Sequence, residues 1–225
     1  MNHRKRTDER RLISIEGGDG AGKTTTSRLV YDHLVRAKIP VVIVQPKHPH
    51  FQEQAVESFM TSMLAVLRGP RHLLTAEQWL HLTSTWYHVI SEHIVRPALR
   101  RREMVIADTW YYKPLVRYGL LGQSMLDEAR RCFADLAKPE LTCLLDIDPE
   151  VAASRKSAFG FGETGNFERP AEFSWKNFVT YQRRFRGALS TIAQEEGWHI
   201  INAGQFSPEL VAGQILEKIT DRGWI

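Results

Sequence analysis

The chain has 225 residues, 43% of them hydrophobic and 25% charged, with a formal net charge of +4, values ordinary for a soluble globular protein. No apolar run approaches the roughly 18 to 20 residues that cross a bilayer, and the first residues lack the apolar segment of a secretory signal, so a cytoplasmic protein is expected. Two cysteines, Cys132 and Cys143, stand in apolar surroundings without metal-ligand spacing and read as buried free thiols.

Residues 1–11 carry Arg4, Lys5, Arg6, Arg10 and Arg11 against Asp8 and Glu9. This stretch reads as a flexible basic tail, solvated rather than bound to nucleic acid. Residues 12–225 then read as one domain, with no repeat or linker to divide them. An apolar strand at 12–16 runs into Gly17-Gly18-Asp19-Gly20-Ala21-Gly22-Lys23-Thr24, the pattern of a phosphate-binding P-loop. A helical pattern leaves it through Thr25, Leu29, Val30 and Leu34 and ends near Lys38. Glycines there let the backbone bend round an anion with its N–H groups inward. Lys23 is expected on the β- and γ-phosphates, and the Thr24 hydroxyl on Mg²⁺. The pattern predicts that the chain binds a nucleoside triphosphate.

A second buried strand is predicted at 40–44, followed by a loop at 45–51 with Gln45, Lys47, His48 and His50. His48 and His50 lack a third ligand nearby and make a poor metal site. A helix is expected over 53–67, broken by Gly69-Pro70. Thr75 opens a long helix through Trp79, Leu82, Trp86, Val89, Ile90 and Ile94 towards Leu99, with Pro97 marking a kink or a restart.

The third strand, 104–107, closes on Asp108. A carboxylate at that edge serves either the Mg²⁺ water shell or proton removal from an acceptor hydroxyl. Short helices follow at about 113–121 and 124–137, a fourth strand at 141–147, and a helix from Pro149 to Arg155 and Lys156. Residues 157–170 are Gly-rich, charged and aperiodic, which in a compact domain marks a functional or disordered loop. A helix at 173–195, a fifth strand at 198–201 and a last helix at 208–219 complete the chain. Strands this apolar, alternating with helices, predict an α/β fold: a five-stranded parallel sheet with helices on both faces and ligands at the strands' carboxyl ends.

These segments resemble the thymidylate kinase family of P-loop nucleoside monophosphate kinases. Its Ile-x-x-Glu-Gly-x-Asp-Gly-x-Gly-Lys-Thr-Thr form is matched by Ile13, Glu16, Gly17, Asp19, Gly20, Gly22, Lys23, Thr24 and Thr25. Val95-Arg96-Pro97-Ala98-Leu99 and Leu145-Asp146-Ile147-Asp148-Pro149-Glu150 match two further segments. The resemblance implies a three-layer P-loop kinase fold, ATP and Mg²⁺, a nucleotide acceptor and a homodimer. It implies that Gly17, Gly18, Gly20, Ala21, Gly22, Lys23, Thr24 and Thr25 hold the triphosphate, with Ala203 and Gly204 near adenine. Thr24 and Asp108 become metal-site candidates, and 157–170 becomes a lid. Asp19 resembles the residue facing acceptor and metal, though a local turn bond is its alternative use. Arg155, Lys156 and Arg169 border the lid, either reaching the phosphates or remaining surface charges.

The acceptor half departs from the family. Its strand three ends in Asp-Arg, the arginine holding the acceptor phosphate; here Asp108 precedes Thr109. Its Arg-Glu-Pro-Gly-Gly is replaced by Val44-Gln45-Pro46-Lys47-His48. Its base-stacking phenylalanine and base-edge arginine fall on Thr83 and Tyr87. Lys47, His48, Lys113 and Arg117 are the cations placed to refill the clamp. The leading expectation is therefore a nucleoside monophosphate kinase for which thymidylate is a poor acceptor. The alternatives are a kinase of a nucleoside or other small hydroxyl compound with Asp108 as base, and a non-catalytic nucleotide-binding regulator.

Overall fold

The computed structural model describes residues 11–47, 49–69, 73–166 and 172–225. The basic residues 1–10, His48 and Arg169 lie outside that set. Five strands form one sheet: β1 (Leu12–Gly17), β2 (Val41–Val44), β3 (Met104–Asp108), β4 (Leu141–Asp146) and β5 (His199–Asn202). Their order is β2-β3-β1-β4-β5, with every pairing parallel. The central strand β1 is buried along its whole length, as a parallel strand covered on both faces must be.

Alternation along β1 divides the core in two. Ile13 and Ile15 pack with Val30 and Leu34 of α1 (Lys23–Arg36) and with Ile215 and Ile219 of α9 (Pro208–Asp221). Leu12, on the opposite face, belongs with Leu80 and Trp86 of α3 (Ala76–Ile90) and with Phe185 and Leu189 of α8 (Trp175–Glu195). Burying each such side chain is worth roughly 1.5 to 3 kcal/mol, which fixes the strand between the layers. Ser14 and Glu16, on the Leu12 face, are fully buried, and Glu16 is satisfied through Oε1 alone, its Oε2 having no hydrogen-bond partner among the described residues. The Ser14 hydroxyl donates to Glu16 Oε1 at 2.6 Å. This is the expected three-layer arrangement. Among the described residues, no helix is long and apolar enough to cross a membrane.

The register sets the site. Ile15 pairs with Asp108, and Gly17 with Leu145, so the P-loop, the end of β3 and the end of β4 share one edge.

Helix boundaries show where local pattern yielded to tertiary demand. Thr75 does cap α3, but through a capping box with Gln78. Pro97 falls in the first turn of a new short α-helix, Arg96–Arg100, so the α-helical ladder restarts at it, as the sequence allowed. A π-helical stretch, Ser91–Val95, leads into α4 (Arg96–Arg100), and Arg96 N–H donates to Ser91 five residues back. That wide turn shifts the carbonyls which would otherwise meet the proline ring. Helix α5 (Tyr112–Gly119) is close to its expected span, whereas α6 (Gln123–Cys132) stops short of Ala137. After Cys132 the chain turns inward, burying Phe133 and Leu136 and presenting the Ala137 carbonyl to the indole N–H of Trp110 at 2.9 Å. The early stop also corrects the reading of the cysteines. Cys143 is buried as expected, but Cys132 is only half-buried at the end of α6.

Candidate active site

The phosphate-binding loop is shaped by close approaches. Gly17 ends β1 where an added Cβ would sit 2.7 Å from the Leu145 carbonyl oxygen. Gly20 has φ +85° and would place a Cβ 3.1 Å from Ala152 of α7 (Pro149–Ser154). Neither position tolerates a side chain without displacement of backbone. Gly22, also left-handed, is the N-cap of α1 and offers no side chain to its first turn. The orphan N–H groups of that turn therefore remain for an anion, at the positive end of the helix dipole. Lys23 Nζ donates to the Gly18 carbonyl at 2.6 Å, so the ammonium lies against the loop it serves.

Asp108 is brought to the same place. The Thr24 hydroxyl donates to Asp108 Oδ2 at 2.7 Å, joining the start of α1 to the end of β3. A hydroxyl and a carboxylate are hard oxygen donors, the set that suits Mg²⁺ with most of its waters retained. The loop, the bare helix terminus and this oxygen pair fit a magnesium–triphosphate together. Asp108→Asn keeps an oxygen for Thr24 and should fold, yet lose most phosphoryl transfer. Partial recovery at high Mg²⁺ would identify a metal-shell role, and a loss that no Mg²⁺ concentration repairs a role in proton removal. A fully active Asn variant would exclude both.

The second cluster of the site centres on Asp19, only 8% exposed. Lys113 Nζ, from α5, donates to Asp19 Oδ1, and Arg117 Nη2 lies 3.4 Å from Oδ2. Burial alone would raise the Asp19 pKa, but Lys113, then Arg117 and Lys23, hold it well below the usual carboxylate range. Lys113 is itself 7% exposed. Burial is the largest influence on its ammonium and lowers its pKa; Asp19 opposes that, Arg117, Lys23 and Lys47 add to it, and the result is about 7. Lys23, Lys113 and Arg117 thus crowd one carboxylate, with Lys47 near enough to act on Lys23 and Lys113, a concentration of positive charge beside the P-loop.

Around it stand the remaining acceptor candidates. The indole of Trp86 donates to the Pro46 carbonyl at 2.9 Å, pinning the loop of Gln45 and Lys47 against α3. Thr83 donates to the Trp79 carbonyl at 2.8 Å and lies 3.0 Å from the Tyr118 hydroxyl. Tyr87 is buried edge-on against Trp110 and Phe133. Thr109 has φ +70°, a costly conformation for a β-branched residue. Flanking bonds hold it there: Thr109 N–H donates to Ile15 O at 3.1 Å, and Trp110 N–H to Glu16 Oε1 at 2.7 Å.

The first part of the candidate lid, 157–166, is tied down on three sides. Lys156 pairs with Glu163 at 3.1 Å, Arg117 donates to Gly162 O at 2.8 Å, and Gln182 to Glu163 O at 3.1 Å. Arg155 lies on another side: its guanidinium is 3.5 Å from Gly204 O, next to Ala203, whose N–H donates to Asp146 O. It sits beside the segment expected near adenine.

Sequence reasoning missed Gln182. Its Oε1 accepts from Asp19 N–H at 3.0 Å and its amide donates to Asp19 Oδ2 at 3.3 Å, so one side chain of α8 links P-loop and lid. The available signal was a glutamine four residues after Phe178, on the helix's buried stripe. Polar groups on such a stripe require partners. The Arg186–Asp146 pair, with both bonds at 2.6 Å, was likewise unforeseen; it braces α8 against the end of β4.

Comparison with known proteins adds to this geometry. The sequence profile of the thymidylate kinase family matches residues 15–215. A thymidylate kinase of a Jannaschia species is 30% identical over 216 residues, covering 94% of this chain and 96% of the relative. One from Rhodopseudomonas palustris is 28% identical over 214 residues, covering 93% of this chain and 88% of the relative. A probable thymidylate kinase of Methanosarcina acetivorans is 29% identical over 221 residues, with 94% and 96% covered.

Proposed function

Because the chain belongs to the thymidylate kinase family, we propose that it transfers the γ-phosphoryl group of ATP to a nucleoside monophosphate, with Mg²⁺ held at Thr24 and Asp108. The observation that carries this reading is the gathering of Lys113, Arg117 and Lys23 around Asp19, with Lys113 and Arg117 paired to its two carboxylate oxygens. An acceptor phosphate brings about two negative charges and needs cations beside it. A hydroxyl acceptor needs a base instead, and Asp108 is already engaged by Thr24. The family arginine lost at Thr109 is replaced from α5, by Lys113 and Arg117.

The acceptor phosphate is already a nucleophile, so the protein's work is positioning and charge. Bound Mg²⁺ would neutralise charge on the β- and γ-phosphoryl oxygens. The loop amides and Lys23 hold the donor phosphates. Asp19 stays ionised and orients Lys113 and Arg117, whose positive charge exceeds its own and leaves room for a phosphate. Arg117 also donates to the lid at Gly162 O, so clamp and lid share one side chain, and the segment held against the site excludes competing water.

Within this class we infer that thymidylate is not the preferred acceptor. Thr83 offers no ring, and Tyr87 is packed against Trp110 and Phe133. The missing stacking partner is worth about 0.5 to 1.5 kcal/mol and the missing charged base-edge bond about 1.5 to 3. With the phosphate clamp rebuilt, kcat/KM for thymidylate should fall about 10²-fold below the best monophosphate. Thymidylate matching the best acceptor would show that other residues rebuild the base site.

A further inference from the structure

Outside the site just described, three metal-binding side chains from two helices converge. We propose that His81 of α3 with Glu128 and Cys132 of α6 forms a surface site for a zinc-class divalent cation, separate from the oxygen pair of Thr24 and Asp108. Nothing in the sequence spacing announces it. Glu128 and Cys132 are one helical turn apart, but the histidine comes from a helix 51 residues earlier.

The geometry is that of ligand edges. Cys132 Sγ lies 3.7 Å from His81 Nδ1 and 3.7 Å from Glu128 Oε1, and the three ligand atoms fall within 4.8 Å of one another. Zinc bonds of about 2.3 Å to sulfur and 2.0 to 2.2 Å to nitrogen or oxygen, at tetrahedral angles, require separations of about 3.5 to 3.6 Å from sulfur and about 3.4 Å between nitrogen and oxygen. The two sulfur edges need to close by only a tenth or two of an ångström, and the His81–Glu128 edge, within 4.8 Å, closes by rotation of the exposed His81 side chain. Soft sulfur with imidazole and a carboxylate selects zinc or cobalt over magnesium.

The ligands are also braced. Arg131 Nε holds Glu128 Oε2 at 3.1 Å, leaving Oε1 turned to Cys132, the kind of outer support that fixes a metal-bound carboxylate. The two helices are pinned beside the site by the Ser84 hydroxyl, which donates to the Cys132 carbonyl at 2.9 Å. His81 is exposed and the other two half-buried, so an ion can enter. Burial and Glu128 raise the Cys132 thiol. Binding therefore breaks the Sγ–H bond, releases that proton to buffer, and places the sulfur lone pair on the metal. The His81 ligand atom is Nδ1, the ring nitrogen that faces Cys132 Sγ. A bound ion would cross-link α3, which carries Thr83 and Tyr87, to α6, stiffening one wall of the acceptor pocket.

The test is a titration of the full chain, stripped by chelator and free of nucleotide, with Co²⁺. The expected result is a thiolate-to-cobalt charge-transfer band saturating at one equivalent, bleached by Zn²⁺ and accompanied by a rise in Tm. Cys132→Ser and His81→Ala should each abolish the band, while Asp108→Asn retains it. Arg131→Gln should weaken binding roughly 10-fold, the lower end of what an outer-shell partner contributes. Absence of the band in the unmodified chain overturns the proposal. So does a band that survives Cys132→Ser, which would place the metal on Cys143, or binding as tight in His81→Ala as in the unmodified chain.

Discussion

Lys23→Ala lowers phosphoryl transfer by on the order of 10³-fold or more, the scale of cationic contacts to a transferring phosphoryl group, and leaves the fold intact. Among the described residues its ammonium bonds only the Gly18 carbonyl of its own loop, and the backbone of that loop is set by Gly17, Gly20 and Gly22. The loss should therefore appear in kcat, with Tm scarcely moved. Steady-state kinetics beside a thermal melt separates the two. Near-normal turnover would remove Lys23 from the chemistry and with it the P-loop reading.

Lys113→Ala has the second large effect, and of a different kind. It removes the nearest cation from Asp19 and leaves that carboxylate to Arg117 and Lys23. Breaking a buried ion pair from one side typically costs about 3 to 5 kcal/mol, so this variant should melt earlier as well as lose acceptor binding. Lys113→Arg separates the effects because it keeps the charge. The sign of the pH dependence follows from the lowered Lys113 pKa of about 7. Its charge is present below that pH and is lost as pH rises through it. The acceptor's second phosphate ionisation, near pH 6, is largely complete by then. In the unmodified chain kcat/KM for the acceptor should fall as pH climbs above about 7, since this parameter reports the free enzyme. Lys113→Arg, charged throughout, should be flat over the same range. A parallel decline in both would place the titrating group elsewhere.

The donor half was legible because everything it needs is local. Strand, glycine loop and helix occupy one continuous stretch, and the apolar strands announced a parallel sheet whose edge then gathered Asp108. What was not legible came from pairings between distant elements. Lys113 meets Asp19 across 94 residues and Gln182 meets it across 163. Neither has a periodicity that reveals the partner, although Lys113 and Arg117 stood out as cations placed to refill the clamp. The strained turn at Thr109 is dictated by Glu16 and Trp110, again across the sheet. Cys132 was misplaced because the helical pattern runs on to Ala137, while Trp110 draws the chain inward five residues earlier. Local pattern gave the elements; buried polar partners decided how they end and what they hold.

The claim that this chain phosphorylates a phosphate rather than a hydroxyl is tested most directly by one comparison. ADP formation from ATP and Mg²⁺ is measured with a panel of nucleoside monophosphates, thymidylate included, and with the matching nucleosides. The cation cluster on Asp19 predicts that the best monophosphate exceeds its own nucleoside in kcat/KM by roughly 10³-fold, the value of about 4 kcal/mol from two or three charge-assisted bonds. A nucleoside phosphorylated as well as its monophosphate, or ATP turnover indifferent to every acceptor, would contradict it.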